Sequence, residues 1–130
     1  MKKKVYLIDD DDIFVFLTKK TILKVSADVD VEVFSDGLQA ITHLKQIKDQ
    51  PELLPDVIFL DLNMPVMDGW EFLAEYQDIY NSFARKNELY IVSSSISPHE
   101  MERSKNISSV SEFIIKPLVK EKFLEILENL

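Results

Sequence analysis

The chain has 130 residues, 46% hydrophobic and 29% charged, a length that suits one compact domain and a balance that argues against disorder and against a membrane protein. A formal charge of -8 disfavours nucleic acid as a partner, and the absence of Cys removes disulfides, thiolate nucleophiles and cysteine-ligated zinc together. With Gly37 and Gly69 as the only glycines, neither a GxGxxG dinucleotide loop nor a GxxxxGK[ST] phosphate loop can be built.

Met1 to Lys4 is basic, but only Val5 to Ile8 follow before four aspartates, too few for the apolar core of a signal peptide. No apolar run approaches the roughly 20 residues of a bilayer span, so a cytoplasmic location without membrane contact is expected. Val5-Tyr6-Leu7-Ile8 reads as a buried strand stopped by Asp9. Phe14, Leu17 and Thr21 mark a helix after it, with Asp11 or Asp12 as cap. Val29 to Phe34 is the second strand. Asp36-Gly37 then turns into a helix with Leu38, Ile41, Leu44 and Ile47 at helical spacing, and Pro51 and Pro55 punctuate the connection to a third strand, Val57 to Leu60. Trp70, Leu73, Tyr76, Tyr80 and Phe83 place a helix next, followed by a fourth strand, Leu89 to Val92. Ser97-Pro98-His99-Glu100 reads as a capping box with Pro at the first helical position, yet Met101 and Ile107 are nearly all the apolar surface that helix has. A helix so weakly held is expected to move or to meet a partner. Phe113 to Ile115 is the last strand, and Phe123, Ile126, Leu127 and Leu130 mark the last helix. His43 and His99 fit no metal or nucleophile pattern and are expected at surface helical positions.

This alternation predicts one α/β domain over residues 1–130: a doubly wound, five-stranded parallel sheet with helices on both faces. Working sites in such sheets lie beyond the carboxyl ends of the strands. The residues there are Asp9, Asp10, Asp61, Ser93 and Lys116. Each alone reads as a helix cap, a loop residue or surface charge; together, at successive strand ends, they form a constellation. Clustered carboxylates repel unless a cation lies among them, and an oxygen-only donor set calls for a hard ion, Mg2+ with Mn2+ as the alternative. Phosphoryl transfer to a carboxylate needs positioning and neutralisation of the phosphoryl oxygens. Mg2+, Lys116 and the Ser93 hydroxyl could supply these, with Asp61 as nucleophile.

The motifs Leu7-Ile8-Asp9-Asp10, Phe59-Leu60-Asp61-Leu62-Asn63-Met64-Pro65-Val66-Met67-Asp68-Gly69, Val92-Ser93-Ser94 and Ile115-Lys116-Pro117 resemble, in order and spacing, the receiver domain of two-component response regulators, the CheY-like family. The resemblance covers essentially the whole chain. It implies that Asp61 is the phosphorylated residue, that Asp10 and Asp61 bind Mg2+ directly with Asp9 acting more through water, and that Asn63 adds its backbone carbonyl. It further implies a cis Lys116-Pro117 peptide, a Gly69 backbone conformation other residues resist, and a switch formed by Ser93 and Phe113, with core packing as the plain alternative for Phe113. Asn63 and Ser95 lie where the family tunes dephosphorylation. The implied phosphoryl donor is a histidine kinase or histidine phosphotransfer protein. With no output domain after Leu130, the signal is expected to pass by binding a downstream protein or by onward transfer; oligomeric state is left open. Such a protein is a phosphoacceptor rather than an enzyme with an external substrate. A Mg2+-dependent aspartyl-phosphate phosphatase would need DxDxT, and Asp61-Leu62-Asn63-Met64-Pro65 lacks its second Asp and its Thr. A phosphate-independent interaction module would need a degraded site residue, and none is degraded.

Overall fold

The structure, a computed structural model, describes residues 2–26 and 28–130. Its elements run β1 (Lys3–Ile8), α1 (Asp12–Val25), β2 (Val29–Phe34), α2 (Gly37–Ile47), β3 (Val57–Leu60), α3 (Gly69–Ile79), β4 (Glu88–Ser93), α4 (Pro98–Lys105), β5 (Glu112–Ile115) and α5 (Lys120–Glu128). The five strands form one parallel sheet in the order β2-β1-β3-β4-β5. The chain therefore leaves β1 toward one edge and returns at β3 on its other side. That switch in direction opens a crevice at the carboxyl ends of β1 and β3, where Asp9 and Asp61 lie.

Because β1 and β3 are central, both their faces are covered, and apolar residues fill them without polar alternation. Tyr6, Ile8, Ile58, Leu60 and Ile91 join Ile41, Leu44, Phe72, Leu73 and Tyr76 in the core under α2 and α3. Val5, Leu7, Val57, Phe59 and Val92 join Ile22, Phe123 and Ile126 in the core under α1 and α5. The expected doubly wound sheet is thus the one observed.

Several local expectations differ from the structure. On α1, Leu17 is 56% exposed, and the buried residues are Thr18 and Ile22: α1 covers an edge of the sheet, so only a narrow face of an apolar helix is buried. Leu38 of α2 is exposed, while Ala40, Ile41, Leu44 and Ile47 are buried. Phe83 lies past α3, beyond a 3-10 turn over Tyr80–Ser82, and Leu130 lies past α5. His43, on α2, is less exposed than expected: it is half-buried, its ring 5.5 Å from Phe34 and 6.0 Å from Tyr6. His99, on α4, is exposed as expected.

The reciprocal capping box belongs to α3, where Asp68 and Glu71 each accept from the other's backbone N–H. At α4 the Ser97 hydroxyl accepts from the Glu100 N–H, but the Ser97 N–H donates to Ser95 Oγ instead of to Glu100. Ser104 is the one buried residue of α4, in keeping with the weak anchoring its composition predicts.

Candidate acidic strand-end site

The site is set by backbone ladders that run one residue past each strand. The N–H of Asp9 donates to Phe34 O (2.9 Å), that of Asp61 to Ile8 O (2.9 Å), and that of Lys116 to Ser93 O (2.8 Å). These bonds carry register from strand to strand. Asp9, Asp10 and Asp61 can each place a carboxylate oxygen within 4.8 Å of the others. Asp9 and Asp61 are buried, whereas Asp10 is exposed. Lys116 Nζ lies 3.0 Å from Asp9 and 3.8 Å from Asp61.

Ser93 ends β4 and is fully buried, its hydroxyl accepting from the Ser95 N–H (3.1 Å). Its place between β3 and β5 sets it on the same rim. Phe113 is half-buried on β5, packed against the core under α2 and α3. Asn63 is exposed in the loop after Asp61.

That loop is held from both ends. The Gly69 N–H donates to Leu62 O (2.9 Å), and the Gly37 N–H reaches Met67 O (3.2 Å). Gly69, expected to take a backbone conformation other residues resist, does not have a positive φ. Its requirement is space: a Cβ there would lie 2.5 Å from the Asp61 carbonyl oxygen and 2.7 Å from Leu62 Cα. The left-handed residue is Val66, with φ at 70°, a conformation β-branched side chains resist. Lys116-Pro117 is cis, as the motif implied.

Burial pushes the Asp61 carboxyl up to about 6, with the Asp9 charge adding to the shift and Lys116 opposing it. Asp9 is also raised, chiefly by burial, against the Asp11 N–H and Lys116. Three mutually repelling carboxylates, two of them costly to ionise, form an oxygen-only donor set that fits a hard divalent cation. Lys116 supplies one positive charge against three negative ones.

One side chain at the site escaped the sequence reading, and another was read only as a candidate cap. Phe14, which had marked only a helix, places its ring 4.3 Å from Lys116 Nζ. Asp11, one of two candidate caps, accepts from the Ile13 and Phe14 N–H groups while its own N–H donates to Asp9 Oδ1 (2.9 Å). The run of aspartates signalled the cap; nothing local signalled the ring contact. Elsewhere, a cavity of about 530 Å3 is lined by Tyr6, Val31, Glu32, His43 and Leu53, among others, and contains none of the rim residues.

Residues 5–128 match the family described as the response regulator receiver domain. The chain is 32% identical over 123 residues to the chemotaxis protein CheY of Listeria monocytogenes, covering 95% of this chain and 94% of that one. Among solved structures, a two-component response regulator from Cytophaga hutchinsonii superposes with a TM-score of 0.87 at 27% identity, covering 99% and 97% of the two chains. The phosphorylated cyanobacterial phytochrome response regulator RcpA superposes with a TM-score of 0.77 at 25% identity, covering 99% and 91%.

Proposed function

Since the chain belongs to the response regulator receiver domain family, we propose that it works as a signalling switch in which Asp61 accepts a phosphoryl group from a phosphohistidine. The observation that carries this reading is the buried Asp61 carboxylate with Asp9 and Asp10 on one side and the Lys116 ammonium 3.8 Å away. An Asp61 oxygen attacks phosphorus, the P–N bond breaks, and the leaving imidazole takes up a proton from solvent. Asp9, Asp10 and Asp61, with the Asn63 backbone carbonyl, would hold Mg2+ or Mn2+. The bound cation supplies charge neutralisation for the phosphoryl oxygens. Lys116 neutralises a further oxygen, and Ser93, released from Ser95, donates its hydroxyl to another.

Burial of Asp61, 6% exposed, keeps bulk water from crowding the attacking oxygen. Ser93 and Phe113 form the switch, and α4, anchored through little more than Ser104, carries the change to a downstream protein or to an onward acceptor. A protein donor, a histidine kinase or phosphotransfer protein, is favoured by the start of α1. Ile13, Phe16 and Leu17 stand exposed there beside the acidic rim, more apolar surface than a small phosphate ester needs. The net charge of -8 keeps nucleic acid an unsuitable target, and among the described residues no helix is long and apolar enough to cross a membrane.

Intact-mass measurement after incubation with acetyl phosphate and Mg2+ tests the reading. A single phosphate adduct is expected on the wild type and none on Asp61→Asn or in EDTA. An unmodified wild type would overturn the proposal, and an adduct on Asp61→Asn would move the acceptor elsewhere.

A further inference from the structure

We propose that Phe14 is the positioning residue for Lys116, holding the ammonium over Asp9 and Asp61 through the face of its ring. The contact stands on geometry alone; its consequence for phosphorylation rests on the reading of Asp61 as acceptor.

Lysine has a flexible stem and three rotatable donors, so its surroundings decide where the charge sits. The Lys116 side chain is 15% exposed, and its ammonium lies 3.0 Å from Asp9, 3.8 Å from Asp61 and 4.3 Å from the Phe14 ring centroid. The two carboxylates belong to the acidic cluster, where a divalent cation competes for their charge. Among the described residues, no other cation lies over the Phe14 ring. The ring contact is therefore the one of the three that does not draw on the charge the proposed cation would use.

Phe14 is suited to this by the way α1 begins. The Asp11 side chain accepts from the Phe14 N–H (3.1 Å), and the Asp11 N–H donates to Asp9 Oδ1 (2.9 Å), so the backbone bearing the ring is tied to the cluster itself. The ring also packs against the core under α1 and α5, which limits its motion. A second ammonium–ring pair on the same helix, Lys20 over Phe16 at 4.8 Å, lies at exposed residues. Water weakens a contact of that kind, whereas the contact at Lys116 is largely shielded. Leucine at position 14 would fill the space but would present no electron-rich face.

The test grades the ring's electron density without changing its shape. Site-specific replacement of Phe14 by mono-, di- and trifluorophenylalanine is compared with Phe14→Tyr and Phe14→Leu. In metal-free, unphosphorylated protein, the Lys116 ε-methylene protons should show a ring-induced upfield NMR shift in the wild type and in Phe14→Tyr, and lose it in Phe14→Leu. The rate of adduct formation with acetyl phosphate and Mg2+ should fall stepwise with fluorination, by about fivefold over the series, and be kept by Phe14→Tyr. A flat fluorinated series, or an absent shift in the wild type, would overturn the proposal even if Phe14→Leu failed to fold. A wild type that shows the shift but takes no phosphate would instead overturn the reading of Asp61 and leave the contact standing.

Discussion

Asp61 and two residues of the loop that follows it, Val66 and Gly69, are held in states that ordinary surface residues avoid, and each makes a measurable expectation. Asp61 has its pKa raised to about 6, mainly by burial, so the folded chain binds its proton more tightly than the unfolded chain does. The stabilising contribution is full below about pH 4 and is lost as pH rises through about 6. Metal-free protein followed by urea unfolding should therefore become less stable across that interval, and Asp61→Asn should remove most of the slope and gain on the order of 2 kcal/mol at pH 7. Val66, 75% exposed with φ at 70°, has strain without burial to offset it. Val66→Gly should gain roughly 0.5–1 kcal/mol in the same measurement, relief of strain being reduced by the greater freedom of glycine in the unfolded chain. Gly69→Ala should lose about 3 kcal/mol, because the added Cβ meets backbone at Asp61 and Leu62 that has little room to give.

Among the elements, α4 is the one whose sequence and packing agree on weakness. Its first turn is well made by Ser97 and Pro98, but it buries only Ser104. What ties it sideways is the Arg103 guanidinium over the Trp70 ring at 4.1 Å, and Trp70 opens α3 immediately after the Asp61 loop. Arg103→Ala should raise hydrogen exchange of α4 amides about threefold to fivefold while leaving α2 and α5 unchanged. By contrast, α3 begins with the full reciprocal cap of Asp68 and Glu71, and Asp68→Ala should lower global stability by about 1 kcal/mol in urea unfolding. The capping boxes were half legible. Asp68-x-x-Glu71 and Ser97-x-x-Glu100 have equivalent spacing, and only the nearby Ser95 hydroxyl, which takes the Ser97 N–H, separates them.

For the whole molecule, the proposed cation site would couple metal binding to folding, since the cluster exists only when β1 and β3 are paired. Mg2+ at about 100 times its dissociation constant should stabilise the protein by about 2.7 kcal/mol, seen as a higher thermal midpoint, and Asp10→Asn should abolish most of that gain. Strand positions, their alternation with helices and the polar residues at strand ends were legible in sequence because they follow from local patterns: short apolar runs, helical spacing, and an abrupt Asp, Ser or Lys. The family motifs lay in the same strand ends, so Asp9, Asp10, Asp61, Ser93 and Lys116 could be named together. Which face of α1 is buried, the half-burial of His43, the left-handed Val66 and the ring of Phe14 against Lys116 depend on segments far apart in the chain. Local pattern specifies which way a side chain projects along its own element. How deep it lies and what it touches are decided when the sheet and its two layers of helices close together.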